Sequence, residues 1–158
     1  MHMRIAVLGF GKEGKSALRF LKTLPRYKRA EIAILDKKQD NNYLLRLPNF
    51  DFVIKSPGVS FALPEIARAQ KSGTLFTSAT ALFFDHADCF TIGITGTKGK
   101  GTTATLLYRM LKAGKKDAYL AGNIGVPMLD VLPKLKKNSI AVLELSSFQL
   151  DHLMFSPR

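Results

Sequence analysis

Short runs of β-branched and aliphatic residues alternate with amphipathic stretches along this chain, a pattern that is typical of a parallel α/β sheet. Turn-forming residues separate the runs, and the amphipathic stretches have the spacing of helices that cover a sheet. In the first half the pattern predicts strands at residues 4–9, 31–36, 51–55 and 74–77, and helices at residues 16–24, 63–72 and 79–84.

The apolar pattern lapses at residues 85–88 and restarts with a new strand, which indicates a domain boundary. We therefore expect two domains, residues 1–88 and residues 89–158. In the second domain the pattern predicts strands at residues 90–95, 118–122 and 139–145, and helices at residues 102–113 and 126–136.

A glycine-rich loop follows the strand at 90–95. Backbone N–H groups in such a loop can converge on a phosphate, and Lys100 and the start of the next helix add positive potential. The spacing departs from G-x-x-x-x-G-K-[ST], because Ile94 stands five residues before Gly99 and Gly101 follows the lysine. A lysine-rich turn is therefore the alternative. The candidate phosphate-binding residues are Gly96, Thr97, Lys98, Gly99, Lys100, Gly101, Thr102 and Thr103.

Glu144 closes an apolar strand and is followed by Ser146 and Ser147. In a parallel sheet this carboxylate lies on the same edge as the phosphate loop. Magnesium bound to ATP phosphates takes one or two hard oxygen ligands, which Glu144 and Thr102 could supply. A surface glutamate is the alternative for Glu144 alone, but the two features together favour an ATP site.

The first half carries a second glycine string, G-F-G-K-E-G at residues 9–14, between the first strand and a helix. Asp36 ends the second strand, so the string alone would suggest NAD with Asp36 on a ribose. Any tight strand-to-helix turn also uses glycine. Residues 55–59 read K-S-P-G-V, which is turn chemistry in its own right.

Three strings in this order, GITGTKGKGTT, AGNIGVP (121–127) and LELSSFQL (143–150), resemble the Mur ligases of peptidoglycan synthesis, above all the D-glutamate-adding type. The resemblance implies a Rossmann-like N-terminal domain with a parallel sheet, followed by the first part of a P-loop ATP-binding α/β central domain. It also implies that Lys98 to Thr102 bind ATP, with Lys100 as the catalytic lysine. Glu144 is implied as the magnesium ligand and Asn123 as a substrate contact.

The loop departs from the family pattern G-T-N-G-K-[ST]-T, since Lys98 replaces Asn and Gly101 replaces Ser or Thr. In this respect it resembles folylpolyglutamate synthases, which use G-K-G-[ST], and Thr102 becomes the expected hydroxyl ligand of magnesium. A folylpolyglutamate-type ligase is therefore an open alternative, as is a binding module without turnover.

For the N-terminal domain, the resemblance implies binding of the UDP part of the substrate rather than NAD. Gly11, Lys12 and Glu13 would face the diphosphate. Asp36 with Lys37 would border the uracil. Ser56 and Gly58 would lie beside the uracil and the sugar.

The implied reaction joins D-glutamate to UDP-N-acetylmuramoyl-L-alanine. ATP phosphorylates the alanyl carboxylate to an acyl phosphate, which the glutamate amine then attacks. Phosphoryl transfer of this kind needs positioning and charge neutralisation rather than a side-chain nucleophile. The expected cofactors are ATP and Mg²⁺.

The net charge of +12 could indicate nucleic-acid binding, but the lysines are scattered and lack interleaved aromatic residues. Part of the excess suits an anionic substrate. No apolar run approaches a membrane span, and the N-terminus lacks a signal-peptide pattern. The single cysteine, Cys89, is expected to be buried, and it fits a reducing cytoplasm. We expect a monomeric, cytoplasmic protein without nucleic-acid or membrane partners.

The family pattern continues beyond residue 158 with another strand, an N-x-x-x-D-H-x-D segment, a carbamylated lysine and a C-terminal domain. We therefore expect the chain to be an N-terminal fragment of a longer ligase, inactive by itself. Leu150, Leu153, Met154 and Phe155 would then have no following strand to pack against.

Overall fold

The computed structural model describes residues 2–150 and Leu153, and these residues form an alternating series of strands and helices. Three short 3-10 helices, Pro25–Tyr27, Tyr43–Asn49 and Leu132–Lys134, complete the regular structure of this part of the chain. The strands are β1 (Arg4–Leu8), β2 (Glu31–Leu35), β3 (Phe52–Lys55), β4 (Leu75–Ser78), β5 (Phe90–Ile94), β6 (Ala118–Gly122) and β7 (Ile140–Glu144). The α-helices are α1 (Lys12–Thr23), α2 (Pro64–Lys71), α3 (Ala79–His86), α4 (Lys100–Ala113), α5 (Met128–Val131) and α6 (Ser147–Leu150).

The chain divides into two compact units, Met1–Ala79 and Thr80–Arg158. Each unit is built on its own parallel sheet, with order β2-β1-β3-β4 in the first and β5-β7-β6 in the second. The predicted fold class, α/β with parallel sheets, is confirmed. In this division all of α3 except its first residue, Ala79, falls in the second unit, whereas the sequence pattern indicated a boundary after residue 88.

The first unit buries the faces of its central strands because their side chains are almost all aliphatic. Residues 5–8 of β1 are fully buried, as expected for a parallel strand that is covered on both faces. One core cluster joins this sheet to α2 and to the 3-10 helix Tyr43–Asn49. It consists of Ala6, Leu8, Leu35, Leu47, Phe50, Val53, Ile66 and Ala69.

Helix α1 begins at Lys12, four residues before the predicted start and within the glycine string at residues 9–14. Its early start depends on Gly14, since a Cβ at this position would overlap the Gly9 carbonyl oxygen. The helix ends where Leu24 adopts an extended conformation before Pro25, because a proline disfavours the helical region for its preceding residue.

In the second unit the helix predicted near residues 126–136 is shorter than expected and only partly α-helical. Only Met128–Val131 is α-helical, a 3-10 helix covers Leu132–Lys134, and Leu135 is already extended. Pro127 and Pro133 explain the difference, because a proline lacks the N–H that a continuous helix needs. Helix α4 starts at Lys100 rather than at 102, and α6 was not predicted.

Cys89 and the last described residues are neither fully buried nor fully exposed. Cys89 is half-buried rather than buried as expected, and desolvation raises the pKa of its thiol. Leu150 and Leu153 are half-buried, while His152, Met154 and Phe155 lie outside the described residues. No helix in the part of the chain that the structure describes is long and apolar enough to cross a membrane.

Replacing Gly14 by alanine should destabilise the first unit. The new Cβ would meet the Gly9 carbonyl oxygen and, at 3.3 Å, Val7 Cγ1. Overpacking of this kind costs typically about 1–3 kcal/mol. Urea unfolding should therefore show a lower midpoint for Gly14→Ala. Gly58→Ala is the matched control, because a Cβ on Gly58 would have no other atom within 4 Å; equal midpoints for the two variants would contradict the prediction.

Candidate nucleotide-binding sites

The loop between β5 and α4 contains two glycines with positive φ. Gly96 has φ 142° and Gly99 has φ 76°, conformations that side-chain-bearing residues rarely adopt. Gly99 caps α4 with its carbonyl, which accepts the Thr103 N–H at 2.9 Å. The helix therefore begins immediately after the loop, and its free N–H groups make this end favourable for an anion.

Lys100, the first residue of α4, folds back over the loop. Its Nζ donates to the Gly96 carbonyl oxygen at 2.8 Å. The loop borders an open cleft of about 750 Å³. This cleft is lined by Thr95, Gly96, Thr97 and Lys100 from the loop side, and by Ser146, Ser147, Phe148 and Leu150 from the segment after β7.

Glu144 ends β7, the central strand of the second sheet, and pairs in register with Ile94 of β5 and Gly122 of β6. Only 4% of the residue is exposed. One carboxylate oxygen, Oε2, is buried without a hydrogen-bond partner among the described residues. Because burying a carboxylate without compensation is costly, this oxygen is suited to a cation.

The residues present fit a magnesium ion that is held largely by phosphate oxygens. Within the described residues no three His, Cys, Asp or Glu side chains cluster as a metal site. A single carboxylate at the edge that carries a phosphate loop is instead the donor set that magnesium uses when the nucleotide supplies further ligands. Glu144 would hold such an ion, whose chemical contribution is to neutralise phosphate charge.

The turn at residues 122–126 brings the end of β6 against Glu144. Gly122 has φ 108°, and a Cβ there would overlap the Glu144 carbonyl oxygen. That same oxygen accepts the Asn123 N–H at 3.0 Å. Asn123 itself is exposed. Asn123 therefore lies at the carboxyl edge of the second sheet, next in sequence to a glycine that the close approach requires.

Thr102 and Thr103 are exposed in the first turn of α4. Thr102 lines a separate cleft of about 480 Å³, together with Gly101, Thr105, Leu106 and Arg109. The structure thus brings Gly96, Thr97 and Lys100 together in the first cleft and Gly101 and Thr102 in the second. A shared magnesium site of Thr102 and Glu144 stays a prediction.

The first unit repeats the arrangement of strand, glycine and helix. Gly9 has φ 85°, and its N–H donates to the Leu35 carbonyl oxygen at 2.8 Å. Ser56 holds the other side of this turn, since its Oγ donates to the Gly9 carbonyl oxygen at 2.8 Å. The turns after β1 and β3 are therefore joined directly at the carboxyl edge of the sheet.

Asp36 follows β2 and connects the turn after β1 with the turn after β2 at the same edge. Its carboxylate accepts the Phe10 N–H at 2.7 Å and the Lys38 N–H at 2.9 Å. The hydrogen bond from Lys38, and then that from Phe10, lower the pKa of Asp36. Asp36 thus has a clear structural role, and its contact with a uracil stays a prediction.

The remaining residues predicted for the UDP-sugar lie on the same turns of the first unit. Gly11, Lys12, Lys37 and Gly58 are exposed, and Glu13 is half-buried in the first turn of α1. A residue that was not predicted, Lys55, is buried at the end of β3 and contacts the turn at 56–59. In the sequence, the feature that could have indicated a role for Lys55 is its position as a lysine at the end of an otherwise apolar strand.

Two parallel α/β units with glycine turns at the carboxyl edges of their sheets, one beside a buried carboxylate, have the architecture in which α/β proteins place their ligand sites. Residues 94–156 match the Mur ligase middle domain. Over almost its whole length the chain also resembles curated ligases that share one name, which is given below. The match assigns residues 94–156 to the Mur ligase family, and the chain as a whole resembles ligases of that family.

Two of these relatives are UDP-N-acetylmuramoylalanine–D-glutamate ligases. The protein from Acetivibrio thermocellus is 34% identical, and the match covers 98% of this chain and 36% of the relative. The protein from Clostridium botulinum strain Hall is 32% identical over 99% of this chain and 38% of the relative. The chain thus spans little more than a third of the length of these relatives.

A solved structure supports the fold. The chain matches the UDP-N-acetylmuramate:L-alanyl-gamma-D-glutamyl-meso-diaminopimelate ligase from Neisseria meningitides with a TM-score of 0.50 and 16% identity. The match covers 100% of this chain and 56% of that protein. At this identity the likeness shows the fold alone.

Asp36→Asn should lower stability at neutral pH by roughly 1 kcal/mol. Hydrogen bonds to a charged group are worth about 1.5–3 kcal/mol, and partial exposure of this carboxylate to solvent reduces the effect. Since the folded pKa is lowered, the contribution is fully present above the ordinary aspartate pKa of about 3.9 and is lost as the pH falls through the folded value.

Urea unfolding at pH 7 and below pH 3 checks this expectation for Asp36. The original chain and the variant should converge in acid, and a constant difference would contradict the prediction. Asp85→Asn, a change at an exposed position, is the control.

Glu144→Gln should not lower the free energy of unfolding without magnesium, because the variant removes a buried charge whose Oε2 has no hydrogen-bond partner among the described residues. It should abolish the rise in melting temperature that we expect Mg²⁺ with ATP to give the original chain. Thermal unfolding with and without Mg²⁺–ATP measures both effects. A fall of more than about 2 kcal/mol without ligand would instead assign Glu144 a structural role. Glu65→Gln, a change in the first unit, is the control.

Proposed function

We propose that the function of this chain is that of an ADP-forming amide ligase, which adds D-glutamate to UDP-N-acetylmuramoyl-L-alanine in peptidoglycan synthesis. In this proposal the first unit binds the UDP part of the substrate and the second unit binds ATP with magnesium. The proposal includes a cytoplasmic location and a monomeric state. The names of the two curated relatives support the choice of substrates.

The buried carboxylate of Glu144 is the observation that carries the proposal. It ends the strand next to β5, whose following loop has two glycines with positive φ and a lysine at the start of α4. A loop of this kind binds phosphate through its N–H groups, and the adjacent carboxylate then favours a phosphate-bound cation. A lysine-rich surface turn would not need a buried, incompletely paired carboxylate beside it.

In the proposed reaction the second unit would position the γ-phosphate of ATP. The loop N–H groups and Lys100 would neutralise its charge while the alanyl carboxylate of the UDP-sugar attacks and ADP leaves. The resulting acyl phosphate would react with the amine of D-glutamate and release phosphate. Positioning and charge neutralisation account for most of the catalysis of phosphoryl transfer, and no side-chain nucleophile is required.

The turns of the first unit support binding of an anionic nucleotide-sugar. The turn at residues 9–11 precedes α1, so the helix N-terminus faces the same edge as the turns after β2 and β3. Lys12 and Lys37 are exposed on these turns and add positive charge. The phosphates of a UDP-sugar match this edge of the sheet.

Calorimetric titration of the 158-residue chain with Mg²⁺–ATP tests the nucleotide site. Lys100→Gln should weaken binding at least about 10-fold, since a charge-assisted contact to phosphate is worth roughly 1.5–3 kcal/mol. Lys112→Gln is the matched control, because Lys112 is exposed in the last turn of the same helix. Equal affinities for the two variants would contradict the assignment of the loop.

A second titration with UDP-N-acetylmuramoyl-L-alanine, followed by measurement of ADP release with D-glutamate present, tests the reaction. Binding of both ligands would support the proposed substrates. Release of ADP would show turnover and contradict the expectation that the chain is inactive by itself. Failure to bind the UDP-sugar would overturn the proposed substrate.

A further inference from the structure

Lys55 is a buried charged residue that the proposed reaction does not use. It is the last residue of β3 and pairs in register with Leu8 of β1 and Ser78 of β4. Only 3% of the residue is exposed. Because a buried ammonium group is costly unless its hydrogens are bonded, its partners must contribute substantially to this edge of the sheet.

The ammonium group bonds the turn that follows it. Its Nζ donates to the Val59 carbonyl oxygen at 2.5 Å and to the Ser56 carbonyl oxygen at 3.2 Å. It also lies 4.4 Å from the centroid of the Phe61 ring, in cation–π geometry. One side chain therefore fixes the start and the end of residues 56–59, which we name the 56–59 turn.

The 56–59 turn is connected to the glycine turn after β1. Ser56 donates its N–H to the Leu8 carbonyl oxygen and its Oγ to the Gly9 carbonyl oxygen, both at 2.8 Å. The fit is close, because a Cβ on Gly9 would lie 2.9 Å from Ser56 Oγ. A shift of the 56–59 turn would therefore displace the glycine turn as well.

We propose that Lys55 is a positioning residue that holds the 56–59 turn, and through Ser56 the glycine turn, in the shape that binds the UDP part of the substrate. The inference rests on the proposed function of the first unit. The role requires a long side chain with several donors, since the carbonyl oxygens it bonds are three residues apart. Methionine could fill the same space but could not donate, and glutamine is too short to reach Val59.

Titration of the full 158-residue chain with UDP as the probe tests this inference. Lys55→Met and Lys55→Gln should weaken UDP binding at least about 10-fold, whereas Lys55→Arg should restore part of it because its guanidinium can donate to both carbonyl oxygens. Lys71→Met is the control for charge, because Lys71 is exposed at the end of α2. Affinity for Mg²⁺–ATP, which the second unit is proposed to bind, should stay within about twofold, whereas a general folding defect would lower both affinities.

The outcomes separate the inference from the proposed function. Binding of UDP by the original chain, with Lys55→Met and Lys55→Gln within twofold of it, would overturn the role of Lys55 alone. Absence of UDP binding by the original chain would overturn the proposed function of the first unit and this inference with it. If Lys55→Met unfolds at the assay temperature, the comparison of Lys55→Gln with Lys55→Arg decides.

Discussion

The burial of the Glu144 carboxylate at the carboxyl edge of the second sheet is the constraint on which the candidate ATP site depends. Its main chain is bonded on one side by the Asn123 N–H, and the next residue, Leu145, donates to the Ile94 carbonyl oxygen at 2.9 Å. The left-handed Gly122 allows the close approach of β6. These contacts hold the carboxylate in place although its Oε2 lacks a hydrogen bond within the described residues, so the fold stabilises a group that is costly by itself.

Both units share an arrangement of strand, glycine and helix but differ in how a nearby carboxylate is bonded. In each, a glycine with positive φ follows the first strand of the unit's sheet in sequence, a helix begins soon after, and a neighbouring strand ends near a carboxylate. In the first unit, N–H groups of Phe10 and Lys38 satisfy Asp36, which therefore organises the turns. In the second unit, Glu144 has an oxygen that no group in the described part of the chain bonds, which leaves it suited to a cation. The same topology thus supports a structural carboxylate in one sheet and a candidate metal ligand in the other.

The strands and the fold class could be predicted from the sequence because buried parallel strands are continuous apolar runs, and β6 was predicted with its observed limits at Ala118–Gly122. The first and last residues of the helices were harder to predict from the sequence. The prolines at 127 and 133 interrupt a pattern whose periodicity alone suggests one helix. The role of Lys55 was not predicted, because it depends on carbonyl groups that only the folded turn brings within reach. The assignment of Thr102 to magnesium likewise depends on side-chain placement, which the spacing of a motif does not determine.

The position of Lys100 bears on how the loop would receive a phosphate. Its ammonium already donates to the Gly96 carbonyl oxygen, so it is held over the loop rather than extended into solvent. A phosphate at the loop would offer this ammonium an anionic acceptor in place of a neutral carbonyl, which adds charge–charge attraction to the hydrogen bond. We therefore expect the loop to accept an anion, although Gly101 takes the place of the hydroxyl residue that the common motif carries there.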